Sequence, residues 1–472
     1  VQPACLDRLS PFPADRSRPV SSRADDRPVE RTIAPVEIGD SARQVTGTTG
    51  ATTDRMMRIS TACLVSLIAI AGCSSDDDTG DDAPPTGPVY YGQVDDILNR
   101  NCASCHTSDA TDRLAPFALE TYDEAVLAAE TAPIAYAVME RIMPPFYADD
   151  SGDCQTYKDN PWLTDDEIAT LVAWSNGDRA MGNIDDASPP AALLPSLAQV
   201  DATLDPGVEF LPDQQMADDF RCFIIDPALT TDKFMTGYHV KPGNQTVVHH
   251  VIAYVPNNET AEAQAIALDD ASPTVPGYEC RGDAGVPSTW LVGWAPGGGA
   301  GYLPDGVGLR VPAGRKLVVQ MHYNLAASNG LPDRTTIDLD FVDSVTKEGT
   351  IVQLPAPVNL PPGQPAAEAV LTYRIPDIIG SRQLWSAGFH MHQRGLGGTN
   401  LRRLDDGACL STLVNWSFHW QHSYRYEQPI TISGGETIQL TCLFDTTEET
   451  QTITWGEGTG DEMCLFIGLT SE

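Results

Sequence analysis

The residues best suited to chemistry in this chain are cysteines, histidines and a few methionines. Cys102-Ala103-Ser104-Cys105-His106 has the spacing that lets two thiols form thioethers to one porphyrin while the adjacent imidazole reaches its iron from one face. A zinc or redox use of the same cysteine pair needs two further ligands or a thioredoxin-like βαβ context, and neither lies nearby. One covalently bound haem c is therefore expected, with His106 as the proximal ligand. A thioether suits the opposite face when the task is electron transfer, and Met139, Met143 and Met181 are within the same region. Met143 is the expected ligand, because Pro144 steers it off helical backbone and the Ile142-Met143-Pro144-Pro145 run is stiff.

The other histidines cluster as well. His249-His250, His322 and His390-Met391-His392 all fall in β-like runs, a grouping that isolated core histidines would not show. His390 and His392 are two apart, so on a regular strand both project from one face and can bind one metal ion. Adjacent His249 and His250 point to opposite faces of a regular strand, so a shared metal there requires a bulge or a long reach by one ring. His239, His419 and His422 match no ligand position; with Trp416 and Trp420 they are assigned to packing and surface.

Elements must hold these groups in place. The chain has 472 residues with 42% hydrophobic and 20% charged content, which suits two or three folded domains. Its formal charge of −36 excludes a grip on nucleic acid, which needs clustered cations. Helical spacing appears in Val94–Leu98, Ala125–Ala128 and Ile168–Trp174, the last opened by a Thr164–Glu167 capping box. These define a small helical domain over 89–183, and the motif around Met143 resembles the distal loop of class I c-type cytochromes. After a linker over 184–209 the period changes to two. Phe220–Ile225, Gln245–Val255, Leu317–Leu325, Thr437–Phe444 and Met463–Leu469 read as strands, bounded by Gly, Pro and Asn. A Pro-rich joint, Leu354–Pro365, divides this part into domains over 210–353 and 354–472. The fold class expected is thus a small all-α, cytochrome-like domain followed by two antiparallel, jelly-roll-like β-sandwiches.

Residues 57–73 combine a basic start at Arg58, the short apolar run Leu64–Ala71 and small residues before a cysteine, the pattern of a signal peptide. Ile70-Ala71-Gly72-Cys73 resembles a bacterial lipobox, which implies lipidation of Cys73 and a membrane anchor. An acidic linker over 74–88 follows, and residues 1–56 are expected to be absent from the mature protein or disordered. Ser74 resembles the sorting signal for the outer membrane of a Gram-negative cell. Export to an oxidising space lets the remaining cysteines be read as haem anchors and disulfides.

Residues 210–470 resemble the copper type II, ascorbate-dependent monooxygenases, the family of peptidylglycine α-hydroxylating and dopamine β-monooxygenases. The resemblance lies in Thr246-Val247-Val248-His249-His250-Val251, Gln320-Met321-His322-Tyr323, His390-Met391-His392-Gln393-Arg394-Gly395 and Asp461-Glu462-Met463-Cys464, in that order. It implies two copper ions at separate, non-coupled sites. One is held by His249, His250 and His322; the other, the oxygen-binding and catalytic one, by His390, His392 and Met463. A soft thioether favours Cu(I), consistent with that role. Disulfides Cys222–Cys280 and Cys442–Cys464 are implied too, the second next to Met463. That leaves Cys154 and Cys409, for which parity alone suggests a bridge between domains.

The function implied is hydroxylation of a C–H bond by O2, with electrons from the fused haem or from an external donor, either an ascorbate-like reductant or a periplasmic redox carrier. Peptide-processing relatives bind a substrate carboxylate at positions that here read Gly388, Leu465 and Ile467. An apolar set cannot balance a desolvated carboxylate, so a neutral or apolar small-molecule substrate is expected. The alternative is a non-catalytic haem and copper carrier on the cell surface, and a weaker third reading is an adhesion module with an incidental metal.

Overall fold

The computed structural model describes residues 87–108, 115–192, 196–296 and 298–472. Cys73, the expected signal peptide, residues 1–56 and most of the acidic linker lie outside the described residues. No helix among the described residues is long and apolar enough to cross a membrane.

Four short helices follow Val89: α1 (Asp95–Asn101), α2 (Tyr122–Thr131), α3 (Ile134–Met139) and α4 (Asp165–Asn176). The expected Thr164–Glu167 capping box opens α4, and a second, Thr121–Glu124, opens α2. Each satisfies two N–H groups that helix geometry leaves orphaned, and loss of such a cap costs about 1 kcal/mol. Leu98, Leu119, Ala128, Val138, Leu171 and Trp174 form the buried core of this piece.

The 140–164 connection between α3 and α4 does not stay with these helices. Phe146, Tyr147, Ala148 and Tyr157 are buried in the core of the C-terminal β-structure. Isolated bridges pair Ala148 with Leu413 and Tyr157 with Tyr426, and Asp149 N–H donates to Thr412 O at 3.0 Å. The Cys154–Cys409 disulfide closes the connection over 255 residues. Residues 89–183 therefore do not form a self-contained domain. Four short helices offer little apolar surface, and a strap buried in a neighbouring core adds to it.

The β-structure is built on two facing arrangements. Strands β1 (Asp218–Ile225), β2 (Val248–Pro256) and β3 (Leu317–Asn324) make the centre of a five-stranded sheet in the order Tyr278–Glu279, β1, β3, β2, Ser288–Trp294. Val251, Ala253, Val319 and Met321 face one core, while Ile252, Tyr254 and Val318 on the opposite face pack under α5 (Glu259–Asp270) through Ala261 and Ala265. Burial on both faces is why Val251–Val255 reads as an unbroken apolar run rather than an alternating one. The sequence reading did not anticipate α5, whose Ala-rich composition gives it only weak amphipathy.

Strands β4 (Lys347–Pro355), β5 (Ser381–His390), β6 (Ser423–Ser433) and β7 (Leu465–Ser471) belong to a nine-stranded sheet. Its path runs Ala202–Leu204, Thr336–Val342, Lys233–Lys241, Val307–Val311, β4, β7, β5, β6, with the ninth strand, Gly301–Tyr302, paired to Lys233–Lys241 off that path. The first half backs the five-stranded sheet, and the second half faces a four-stranded sheet made from Ala367–Arg374, Thr437–Phe444, Asn400–Arg403 and Cys409–Thr412. The two halves meet in a short parallel pairing, Lys347 with Val307 and Glu348 with Gly308. One continuous sheet thus runs through both β-layers. The expected boundary at 353/354 falls inside β4, which pairs with β7 along its length, and Ala202–Leu204 of the expected linker is the sheet's edge strand.

If the strap is held chiefly by its cross-link, the Cys154→Ser/Cys409→Ser double variant will unfold in urea with a loss of about 2–4 kcal/mol. Protease cleavage within 144–163 will become faster. An unchanged midpoint and cleavage pattern would show that burial of Phe146 and Tyr157 suffices.

Candidate metal centres

The first cluster sits where β2 and β3 pair. Register between these strands shifts between Val248 and His250, so the ladder skips His249, and His250 then lies opposite His322. This irregularity is the bulge that two adjacent histidines need to share one ion. The candidate ligand nitrogens of His249, His250 and His322 all lie within 4.8 Å of one another. His250 Nδ1 and His322 Nδ1 are 3.2 Å apart. On its other side His322 Nε2 donates to Asp218 Oδ1 at 3.0 Å, which fixes the tautomer and leaves the Nδ1 lone pair toward the cluster. Phe220, opposite His322 on β1, stacks on its ring at 4.1 Å.

His249 gives the most direct test of fit to a metal. It is buried, and neither ring nitrogen has a hydrogen-bond partner. Leaving such a group unsatisfied costs about 1–3 kcal/mol, and ligation of an ion by that nitrogen would relieve it. Neutral imidazoles suit copper. The donor set fits the ion that the sequence reading assigns to it.

The second set is built at the end of β5. His390 closes that strand, opposite Leu465 of β7, whereas His392 lies beyond it, and Met463 lies just before β7. The expected placement on regular strands holds for His390 and needs correction for His392 and Met463. Two steps outward from the His390–Leu465 pair in antiparallel register lead to His392 and Met463, but here the ladder gives way to a carboxylate. Glu462 Oε2 accepts from the backbone N–H of His392 at 2.8 Å and of Met463 at 3.3 Å, and Oε1 accepts from Arg394 N–H at 2.7 Å. Buried Glu462 substitutes for the missing strand pairing and holds the two segments together.

Both imidazoles of this set have one nitrogen engaged. His390 Nδ1 donates to Gln421 Oε1 at 2.5 Å, and His392 Nδ1 donates to the Asp461 carbonyl at 3.1 Å. Nε2 is then the nitrogen with the lone pair on each ring. The ring centroids of His390 and His392 are 5.2 Å apart, and those of His250 and His390 are 6.2 Å apart. Phe418 lies between the sets, stacked on His249 at 4.3 Å and 6.0 Å from His392. The Cys442–Cys464 disulfide anchors the residue after Met463, and Cys222–Cys280 ties β1 to the loop leading into Ser288–Trp294.

The remaining sequence candidates lie elsewhere. His239 lies on the strand Lys233–Lys241 opposite Asp338, and His419 is exposed. Trp416 does more than pack, since its Nε1 donates to the His392 carbonyl at 2.9 Å. Asp218, Thr459, Glu462, Gln421 and Phe418 were not assigned roles from the sequence. Glu462 stands beside Met463 in the quoted motif, but its contact with His392 spans 70 residues, and the other four reach the candidate ligands across long-range contacts that local spacing does not mark.

At the haem motif, Cys102 and Cys105 are free thiols. His106 is buried, its Nδ1 is 2.9 Å from the Phe117 carbonyl, and the Phe117 ring lies 4.6 Å from its own. Donation from Nδ1 places the lone pair on Nε2, the form an iron ligand needs. Met139, Met143 and Met181 are all exposed.

Burial pushes the His249 and His390 rings down to about 3 and His392 to about 4, with His250 and His322 also lowered by burial. Histidine in an unfolded chain titrates near about 6.5, so the unfolded state takes up protons first as pH falls. These rings contribute stability that is full above about 6.5 and is lost as pH falls through about 4 for His392 and about 3 for His249 and His390. Burial raises Glu462 to about 7, which acts in the opposite sense. The direct check is the side-chain nitrogen NMR of the metal-free protein. His249, His390 and His392 should show neutral-ring shifts unchanged from pH 7.5 to 5, and a midpoint near 6.5 for these signals would contradict the burial argument.

Residues 377–467 match the model of the copper type II ascorbate-dependent monooxygenase C-terminal domain, a stretch that includes His390, His392 and Met463. The chain is 24% identical over 248 residues to tyramine beta-hydroxylase of Caenorhabditis briggsae, a match covering 48% of this chain and 40% of that protein. It is 26% identical over 248 residues to DBH-like monooxygenase protein 2 of Mus musculus, covering 48% and 38%. The chain thus spans about two fifths of the length of these relatives. A solved structure of N-glycanase F is similar over 57% of this chain and 95% of its own, at 11% identity and a TM-score of 0.28, which carries no argument. The family model thus covers the stretch that holds the second candidate set, and both relatives carry hydroxylase or monooxygenase names.

Proposed function

We propose that the chain is a two-copper monooxygenase that hydroxylates a C–H bond of a neutral or apolar small molecule, with electrons supplied through a haem c bound at Cys102, Cys105 and His106. The observation that carries this reading is the convergence of five buried or half-buried imidazoles from distant strands, with His250 and His390 at 6.2 Å between ring centroids. His249, His250 and His322 would hold one ion through nitrogen; His390, His392 and Met463 would hold the other. Copper at such positions supplies one-electron storage and affinity for dioxygen. The overall reaction consumes one O2, two electrons and two protons for each C–H converted to C–OH, and releases one water.

The protein's own part is positioning and exclusion. Fixed tautomers at His322, His390 and His392 present lone pairs without proton competition near neutral pH. Gly388 and Ile467 are paired across β5 and β7, and Leu465 is paired with His390, so the wall beside the second set is apolar. A carboxylate bound against these three residues would lose its hydration with no polar group among them to replace it, which supports a neutral substrate.

The haem relay draws support from the strap. Tyr147, four residues after Met143, accepts from Val414 N–H through its carbonyl at 2.8 Å. Val414 lies four residues before Phe418, which stacks on His249. Met143 remains the proposed distal ligand. Three disulfides fit a secreted or exported protein, and lipid attachment at Cys73 in the periplasm or outer membrane of a Gram-negative cell is part of the same proposal.

Metal analysis with haem quantitation on the intact protein should give two copper and one haem per chain. Met463→Ala should retain haem and the three-histidine copper but no longer incorporate label from ¹⁸O2 into a panel of neutral aromatic and aliphatic substrates. A non-catalytic carrier would give no labelled product in either form. Ferrous haem in the copper-loaded protein should reoxidise faster when substrate and O2 are added together; an unchanged rate would remove the relay.

A further inference from the structure

Asp218 opens β1, and its buried carboxylate is the meeting point of two β-layers. Oδ1 accepts from His322 Nε2 at 3.0 Å, from Thr459 Oγ1 at 2.6 Å and from Asn324 Nδ2 at 3.4 Å; Oδ2 accepts from Thr459 N–H at 3.0 Å. Burial alone would raise this carboxyl, but the hydrogen bonds from His322 and Thr459 outweigh it and hold the group well below the usual carboxylate range. Thr459 is 241 residues away in sequence, in the tight turn over 456–461 that precedes Met463.

That turn is stiff. Asp461 N–H donates to Gly458 O at 2.8 Å, and Gly458 N–H donates to Asp461 Oδ2 at 3.2 Å. A Cβ at Gly456 would lie 2.2 Å from the same Oδ2, so the Asp461 side chain occupies the space that glycine leaves. At its far end the turn supplies the Asp461 carbonyl to His392 Nδ1 and then Met463 itself. An unbroken series of contacts therefore runs from His322 through Asp218 and Thr459 to Asp461, His392 and Met463.

We propose that Asp218 and Thr459 form a clasp that positions both metal-ligand sets at once: Asp218 orients His322, and by gripping Thr459 it sets the turn that presents His392 and Met463. Asp218 is a positioning residue, not a catalytic one. The proposal rests on the copper reading and goes beyond it, because it makes ligand geometry at the Met463 set depend on a side chain that touches only the His322 set. A carboxylate serving His322 alone would leave the Met463 set undisturbed when altered.

The test uses the full chain loaded with Cu(I), with copper affinity measured by chelator competition and the copper–sulfur contribution by X-ray absorption. His322→Ala and Met463→Ala serve as references, each expected to affect one copper. Asp218→Asn, nearly isosteric, should weaken binding of one copper by about 10–100-fold and also reduce or lengthen the copper–sulfur contribution. Thr459→Val should alter the sulfur contribution with a smaller change in affinity at the three-histidine set, and Thr459→Ser, which keeps the hydroxyl, should behave as wild type. A sulfur contribution unchanged in both Asp218→Asn and Thr459→Val would overturn the clasp while leaving the copper reading intact. Wild-type protein that binds no copper through His322 or Met463 would overturn both.

Discussion

The structure depends on keeping clustered imidazoles neutral in a protein interior while fixing the tautomers of three of them. Burial disfavours the protonated rings, and specific acceptors choose which nitrogen keeps its proton: Asp218 for His322, Gln421 for His390 and the Asp461 carbonyl for His392. His249 lacks any such partner, so in the metal-free fold it carries the cost of desolvation without compensation. Under the proposed copper ligation that cost is relieved on binding, so the fold adds to the affinity that the donor atoms supply.

The architecture follows from that demand. The candidate ligands on β2 and β3 belong to one layered half and those at the end of β5 and before β7 to the other, so neither half can supply both sets alone. The nine-stranded sheet gives the halves a common frame through the β4–β7 pairing, and the Glu462 carboxylate replaces ladder hydrogen bonds where β5 and β7 diverge. The 140–164 strap adds a third attachment, carrying the helical piece onto the layer that holds His390. Covalent closure at Cys154–Cys409 limits how far the helices can separate from it.

Much of this could be read from residue order, and the limits have physical causes. The runs Leu317–Leu325 and Thr437–Phe444 were recognisable because β-branched and apolar residues fill them and turn residues bound them; their observed strands are Leu317–Asn324 and Thr437–Phe444. Side-chain alternation alone implies that His249 and His250 share an ion only through a bulge or a long reach by one ring, and the register shift lies there. Strand ends were misread at His392 and Met463, since nothing local reveals that a glutamate will take over from the ladder. The strap was also hidden: Tyr147 meets Tyr424 at a separation of 277 residues, and short sequence windows carry no trace of such a contact. Asp218 looked like one acid among many in a chain of charge −36.

Anomalous diffraction at the copper edge from crystals grown with copper tests the central claim most directly. Two peaks should appear, one among His249, His250 and His322 and the other among His390, His392 and Met463. Density at neither cluster, or a single ion bound elsewhere on this acidic surface, would contradict the account.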